Sequence, residues 1–550
     1  MSSRTSLALA ALLCLGCPSK DPAHVASEAS DPAEAEALAF EALRALEKAQ
    51  ERFRLADLDG DGRLNHGDLA ALERNDDVLW ATERARRAGY ELRCEPSRKA
   101  PEWAWFALAT PREGRGRALL LTEDRVVLAL DAALLKDLDP GARTLRGVPV
   151  GALDRLPEGA RVWGDDAPAD ERAFKAAMAR QDVEALIRLG PPAVPLLARA
   201  VERGAPEERA AALEALEGAQ QPPLRAVPAL VRTLQASAGG MDWLTVSAAR
   251  ALGACGPLAG PEALEALLEA AAVPPLCTTA SLSIVAMGPA ARPALPRLLA
   301  LAREGPARGS RFLLHAVSRL GFDDPAAIDL LRDLLDDDAA QASAVAALRT
   351  VGAAGEPALP RLRALAFDEG APAHVRADAL TALGRIAPLG PEDVAALLAL
   401  LASPRDDGLP DQAAVILAGA PPRREVLEAL ERSADISGAL WALTLHAARD
   451  DGARERLAAC LGRGHLRDAV VWELATTDRW PAGRAPSTLV QPLLALVTSG
   501  GDRDHAAAAA LGRLGAREAL PALRQALEAA GGDGDRRLLE LAIVRLERGG

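Results

Sequence analysis

The stretch Val-Arg-Ala-Asp-Ala-Leu-Thr-Ala-Leu-Gly at residues 375–384 is a clear copy of a pattern that recurs along most of the chain. Alanine and leucine occupy its apolar positions at helical spacing, and the pattern ends in Leu-Gly. From Gly253 to Gly419 the glycines that end successive copies are 35, 33, 31, 32 and 35 residues apart. A period of this length predicts stacked helical repeats. The further copies end at Leu189-Gly190, Leu252-Gly253, Met287-Gly288, Leu320-Gly321, Val351-Gly352, Ala418-Gly419 and Leu511-Gly512.

A second element, centred on proline, recurs between these glycines. Proline suits the first turn of a helix, because the backbone N–H that it lacks has no partner there. Glycine suits the residue that follows a helix. Each repeat is therefore predicted to hold two helices, the first opened by proline and the second capped by glycine. The proline elements read AVPLL at 193–197, AVPAL at 226–230, PALPRL at 293–298 and 357–362, and ALPAL at 519–523.

These elements resemble bacterial HEAT-type repeats, in the short form shared with phycobilin-lyase-like proteins, and the resemblance covers residues 170–550. It implies a mainly α fold, an α-solenoid of about ten or eleven helix pairs that offers an extended surface to a protein partner. The landmarks of tetratricopeptide repeats are missing. Residues 420–505 depart from the pattern, which indicates either a kink or binding insertion, or decay by drift.

The overall composition excludes several classes of protein. Of 550 residues, 49% are hydrophobic and 26% are charged, which is typical of a folded chain. The net charge of −13 argues against a nucleic-acid-binding surface. No run of 18 apolar residues follows the N-terminus, so the sequence predicts no multi-spanning membrane protein.

The first 16 residues have the features of an export signal, with Arg4 followed by the apolar stretch 7–15. Cys14-Leu15-Gly16-Cys17 resembles the lipobox of bacterial lipoproteins, although Cys14 replaces the preferred leucine. The resemblance implies that Cys17 carries a lipid, and an ordinary cleaved signal peptide is the alternative. Residues 17–32 are polar and predict a flexible tether. Because Pro18 and Ser19 follow the cysteine, the resemblance favours the outer membrane, facing the periplasm or the cell surface.

Residues 57–68 read Asp-Leu-Asp-Gly-Asp-Gly-Arg-Leu-Asn-His-Gly-Asp and match the calcium loop of an EF-hand. The spacing gathers carboxylates and a carbonyl oxygen around one point, as Ca²⁺ requires. A solvated acidic turn is the alternative. The loop also resembles one dockerin repeat, and its final aspartate is shorter than the usual glutamate, so we expect modest affinity. Residues 33–80 are thus predicted as a single EF-hand-like helix-loop-helix, whose expected calcium ligands are Asp57, Asp59, Asp61, the carbonyl of Arg63, Asn65 and Asp68.

Residues 90–165 predict a small β-rich domain. Trp103 and Trp105 alternate onto one face of a strand, where they are expected to be core residues, and a ligand platform is the alternative. Strands are expected at Tyr90–Cys94, Trp103–Thr110, Ala118–Leu121 and Val126–Leu130, with two weaker ones at 148–150 and 160–163. Cys94, Cys255, Cys277 and Cys460 are expected to be buried free thiols.

The sequence contains no recognisable catalytic motif. Its seven histidines are scattered without metal-binding spacing, and glycine-rich phosphate loops are missing. The sequence therefore favours a non-enzymatic, membrane-tethered scaffold that binds calcium and a protein partner. One alternative is a lyase-like repeat protein that acts on a bound cofactor or chromophore. A weaker one, from the dockerin-like loop, is a cell-surface component.

Overall fold

The computed structural model describes residues 32–56, 66–73, 75–96, 105–112, 117–122, 126–139, 144–145, 148–149, 156–158, 160–162, 170–219, 221–236, 242–305, 307–403, 408–477, 480, 486–499, 504–530 and 533–548.

The first part of this structure, the N-terminal module, combines three helices with two small antiparallel sheets. The helices are α1 (Pro32–Ala56), α2 (Leu69–Leu72) and α3 (Asp76–Arg87). Five strands pair in the order β1-β2-β3-β4-β8: β1 (Tyr90–Pro96), β2 (Trp105–Pro111), β3 (Ala118–Thr122), β4 (Val127–Leu130) and β8 (Ala160–Val162). The second sheet holds β5 (Leu138–Asp139), β6 (Thr144–Leu145) and β7 (Val148–Pro149).

Both faces of the larger sheet are buried. Trp105, Leu119 and Leu121 belong to one core with Leu43 of α1, whereas Leu120 and Leu128 pack on the opposite face. The two cores follow from the alternation of side chains along each strand. Trp105 is a core residue, as predicted, and Trp103 lies outside the described residues.

The rest of the described chain is helical, and its helices form consecutive antiparallel pairs. The first helices are α4 (Glu171–Arg180), α6 (Val194–Arg203), α8 (Val227–Ala236), α10 (Gly260–Ala271), α12 (Leu295–Glu304), α14 (Pro325–Asp333), α16 (Leu359–Phe367), α18 (Pro391–Leu401), α20 (Arg424–Arg432), α22 (Asp451–Gly462), α24 (Ser487–Ser499) and α26 (Leu520–Ala529). The second helices are α5 (Val183–Arg188), α7 (Pro206–Glu217), α9 (Trp243–Ala254), α11 (Pro274–Ala286), α13 (Arg311–Leu320), α15 (Gln341–Leu348), α17 (Ala373–Ile386), α19 (Leu409–Leu417), α21 (Ser437–Ala447), α23 (Arg467–Thr476), α25 (Asp504–Leu514) and α27 (Asp533–Arg548).

This arrangement is a HEAT-type α-solenoid. Each second helix packs against the second helices of the neighbouring pairs, so that they form one continuous layer, while the first helices contact one another more sparsely. One apolar core runs through the array from Ala177 to Leu546. Quasi-one-dimensional stacking of this kind defines repeat proteins.

The described residues form twelve helix pairs, which corrects the expected ten or eleven. The undercount has a local cause, because the Leu-Gly landmark is missing where second helices end at Ala447 and Thr476. The region 420–505 nevertheless keeps the pairing, since α20 to α24 stack in the same order as their neighbours. The described helices of this region therefore stack as their neighbours do, although its sequence departs from the repeat pattern.

The prolines act as predicted, but the glycines have two different roles. Proline occupies the second residue of α6, α12, α16 and α26. Gly190 follows α5 with a φ of 69°, which favours glycine and suits a helix end. Gly253 instead lies inside α9, where a Cβ atom would approach Ser283 Oγ of α11 to 2.8 Å. Here glycine permits two second helices to approach closely, which corrects the expectation that every landmark glycine is a cap.

The N-terminal module packs against both ends of the array. Gln221, in the turn between α7 and α8, accepts a hydrogen bond from the Val127 N–H at 3.1 Å. Leu224 and Leu258, from turns of the early repeats, pack against the outer face of the sheet. At the other end, Arg537 of α27 pairs with Asp77 of α3 at 2.8 Å. These contacts join the N-terminal module to the repeats of residues 170–550.

Candidate functional site

The predicted calcium loop lies between two helices whose bounds fit it. Helix α1 ends at Ala56, immediately before the loop, and α2 begins at Leu69, immediately after it. An EF-hand requires this succession of helix, 12-residue loop and helix. Five of the six expected ligands, namely Asp57, Asp59, Asp61, Arg63 and Asn65, lie outside the described residues, as does Cys17. Asp68 is the one expected ligand that the structure describes.

Asp68 is the N-cap residue of α2. Its Oδ1 accepts a hydrogen bond from the Ala71 N–H at 2.8 Å, and its side chain is exposed. Capping uses one carboxylate oxygen. Among the described residues the second oxygen has no hydrogen-bond donor, so Asp68 is suited to bind a cation through a single oxygen.

The end of the loop is held by a buried amide from the incoming helix. Gln50 of α1 donates from Nε2 to the Gly67 carbonyl at 2.7 Å, and its Oε1 accepts from the Gly67 N–H at 2.9 Å. Gln50 is 1% exposed. Its Nε2 also lies 3.2 Å from Cys94 Sγ on β1. This pair of bonds fixes the distance between α1 and the loop end, and thereby the separation of the helices that flank the loop.

Two further contacts join the loop end to its surroundings. The rings of His66 and Trp105 lie 6.2 Å apart between centroids. After α2, Glu73 accepts a hydrogen bond from Thr82 Oγ1 and pairs with Arg86 at 2.7 Å. Helices α2 and α3 are therefore linked by side chains, so the orientation of α3 depends on the loop end.

The second feature of interest is the solvent-facing side of the second helices, which we call the second-helix face. Four large apolar side chains are exposed among the described residues, and all four lie on second helices: Trp243 (50% exposed), Leu282 (43%), Phe312 (36%) and Trp472 (58%). The first three belong to α9, α11 and α13, which are consecutive members of the layer. Exposed apolar groups that recur on one face are typical of interaction surfaces.

Two buried polar side chains of the array, Arg376 and His446, have backbone carbonyls as partners. Arg376 is 4% exposed and donates from Nε to the Ala366 carbonyl at the end of α16. His446, also buried, donates from Nε2 to the Leu417 carbonyl at 3.1 Å, and burial lowers its pKa. His446 is therefore a packed residue.

The cysteines of the described chain are buried free thiols, as predicted. Burial raises the pKa of Cys94 and of Cys255 to about 12. It also raises the pKa of Cys460. A thiol in this state is a poor nucleophile.

One titratable residue was not identified from the sequence. Glu473 of α23 lies beside the exposed Trp472, and burial raises its pKa to about 7. The signal that could have indicated it is weak, since a single glutamate in Val-Val-Trp-Glu-Leu-Ala is an ordinary helix residue.

Within the described residues, no three histidine, cysteine or acidic side chains converge as a metal site. No helix there has the length and apolar character needed to cross a membrane.

Comparison with known proteins yields structural likenesses only. No protein-family model matches the chain, and no curated protein matches its sequence. An engineered protein solved by a structural genomics consortium is 19% identical, with a TM-score of 0.26 over 68% of this chain and 98% of that one. The karyopherin Kap121p bound to Nup53p is 12% identical, with a TM-score of 0.36 over 67% and 47%. Kap121p bound to the extreme C-terminus of the protein phosphatase Cdc14p is 13% identical, with a TM-score of 0.34 over 70% and 50%. The matches span about half of each karyopherin chain.

Proposed function

We propose that this chain is a scaffold of the bacterial envelope that binds a protein partner on its second-helix face. The observation that carries this proposal is the position of Trp243, Leu282 and Phe312, exposed on three consecutive second helices. Neighbouring helices in such a layer lie about 9–10 Å apart, so the three side chains extend over about 18–20 Å of the surface. Tryptophan, as at position 243, is among the residue types that contribute most to binding energy at protein interfaces.

Site-specific photo-crosslinking tests the surface. A photoreactive amino acid at position 243 or 312 should capture a defined protein in envelopes of the source cell. The same amino acid at Arg199, on the first helix α6, should capture none. The variant Trp243→Ala/Leu282→Ala/Phe312→Ala should lose the captured protein from affinity purifications while it retains its helical circular dichroism. Equal capture from positions 199 and 243, or unchanged recovery with the triple variant, would contradict the proposal.

We further propose that Cys17 is the lipid attachment site. Support comes from the Leu15-Gly16-Cys17 junction and from the apolar stretch before it. Several acyl chains anchor a protein firmly, whereas one binds marginally. Cys17→Ser should therefore move the protein from the membrane to the soluble envelope fraction and abolish incorporation of labelled fatty acid. A variant that stays on the membrane would refute the anchor.

The third component of the proposal is a single calcium ion in the loop 57–68. Support comes from the ligand spacing, the helix bounds on either side, and the Gln50 bonds that hold Gly67. When bound, calcium neutralises the mutual repulsion of the four carboxylates. Asp68 can supply one oxygen, and Asn65 a direct or water-mediated one.

Isothermal titration tests this component. The mature protein should bind one Ca²⁺ with a dissociation constant of about 10⁻⁶ to 10⁻³ M, the range of sensors and extracellular modules. Asp57→Ala/Asp59→Ala should abolish binding. Asp336→Ala/Asp338→Ala, a matched change in an exposed acidic run of the array, should leave binding unchanged. Absence of binding heat at millimolar calcium would leave a solvated acidic turn.

A further inference from the structure

The N-terminal module contacts repeats that are far apart along the array. Its sheet packs on turns between the second and fourth helix pairs, and its helix α3 contacts α27 of the twelfth pair. In a straight stack these repeats would be about 90 Å apart, since each layer adds about 9–10 Å. Helix α1, with 25 residues, is about 37 Å long. The array therefore curves back until both ends reach one module.

The two contacts differ in strength. At the early repeats, Gln221 is 5% exposed and forms two hydrogen bonds with the Val127 backbone, at 3.1 and 3.4 Å. Arg44 of α1 also donates to Gln221 Oε1 at 3.2 Å. Leu224 and Leu258 extend the apolar core of the sheet. This contact is buried, and both ends of the Gln221 side-chain amide form hydrogen bonds there.

The contact at the last repeat is exposed. Arg537 Nη2 lies 2.8 Å from Asp77 Oδ1, with 42% and 81% of the two side chains exposed to solvent. The Arg537 guanidinium also lies over the Trp80 ring, 5.5 Å from its centroid. Exposed ion pairs and exposed cation–π contacts are individually weak, and salt screens the former.

We propose that Asp77, Trp80 and Arg537 form a reversible clasp that closes the solenoid into a ring. The module stays attached to the early repeats, while the last repeats separate from it when the clasp opens. Opening relaxes the curvature of the layer of second helices, and with it the spacing of side chains along the second-helix face. Neither a bound calcium ion nor the lipid takes part in these contacts between α3 and α27.

Distances between spin labels test the clasp in the full mature chain carrying Cys17→Ser. The four cysteines that the structure describes are buried, so they should not react with the label. One label pair, at Arg87→Cys and Arg524→Cys, reports on the clasp. A second pair, at Arg87→Cys and Arg232→Cys, spans the firm contact and serves as a reference. At low salt the first pair should give one narrow distance. In Arg537→Ala that distance should become longer and broad, while the reference pair stays unchanged.

Arg536→Ala is the matched control, because Arg536 is an exposed arginine that pairs within its own helix with Glu540 at 3.6 Å. It should keep the closed distance. Asp77→Arg and Arg537→Asp should each open the ring, and the double exchange should close it again. Identical distances in the Arg537→Ala and Arg536→Ala variants, or a double exchange that stays open, would overturn the proposal.

Discussion

Gln50 forms two hydrogen bonds with the backbone of Gly67, one through each end of its side-chain amide, and so joins α1 to the end of the predicted calcium loop. Both groups are buried, so water does not replace the bonds when the amide is removed. This contact makes the stability of the module and the geometry of the loop depend on one side chain.

Gln50→Leu should therefore destabilise the protein and weaken calcium binding together. The change leaves the Gly67 N–H and carbonyl without partners, which costs about 2–4 kcal/mol. Denaturant unfolding with and without calcium measures the loss. Lys48→Ala, at an exposed position on the same helix, should change the free energy of unfolding by less than about 0.5 kcal/mol. Equal effects of the two variants on the free energy of unfolding would show that the Gln50 bonds do not stabilise the folded protein.

Asp68→Glu separates the two roles of that residue. Without calcium the variant should be less stable by about 1 kcal/mol, because glutamate is a poor N-cap. In calcium it should bind the ion more tightly, because the longer side chain brings both oxygens within reach, and tighter binding stabilises the folded state. Thermal unfolding at several calcium concentrations shows both effects. A variant that is destabilised equally at every calcium concentration would exclude Asp68 from the site.

The sequence predicted the repeat architecture well because its signals are local. Proline at the start of a helix and a 3.6-residue apolar period depend on neighbours along the chain, and both appear in α12 and α16 as expected. The apolar run that begins at Trp105, whose first five residues are all buried, is equally local. The role of Gly253 is different, because it depends on the approach of Ser283 from another repeat.

The candidate sites were predicted less completely for the same reason. The calcium loop is a contiguous motif and is visible in the sequence, whereas Gln50 carries no motif and acquires its role from Gly67. The clasp joins Asp77 to Arg537 across 460 positions, and an ordinary aspartate and arginine on two amphipathic helices give no sign of it. Curvature of the array brings them together.

The close approach of helices α25 and α27 gives a third prediction. Gly512 lies in α25, where a Cβ atom would come within 2.8 Å of the Ala542 Cα in α27. Backbone atoms cannot rotate away, so Gly512→Ala should force the helices apart and cost about 1–3 kcal/mol. Gly462→Ala is the control, because a Cβ atom there meets nothing within 4 Å. It should leave stability unchanged or raise it by about 0.5–1 kcal/mol.

The measurement is the free energy of unfolding by denaturant. The two variants can be compared directly, because both replace a helical glycine by alanine. Clasp distances from spin labels add a second readout, because a displaced α27 carries Arg537 with it. Equal stability of the two variants would contradict the close-packing role of Gly512.

The elevated pKa of Glu473 predicts a pH dependence with a definite sign. Burial raises its pKa from 4.5 to about 7 in the folded protein. Between these values the folded state binds more protons at this site than the unfolded state does. The contribution of Glu473 to stability should therefore decline as the pH rises from about 4.5 to about 7, and stay at its lower value above that.

Glu473→Gln should remove this decline, since glutamine has nearly the same shape and does not ionise. At pH 8 the variant should be more stable than the parent by about 1–2 kcal/mol, a value reduced from the full shift because the side chain is partly solvated. At pH 4.5 the two proteins should be equally stable. Glu455→Gln, an exposed substitution on the preceding helix, should leave the pH profile unaltered. The measurement is the free energy of unfolding by denaturant, taken at intervals from pH 4.5 to 8. Parallel pH profiles of this free energy for Glu473→Gln and the parent would mean that the Glu473 carboxyl is solvated in the folded protein.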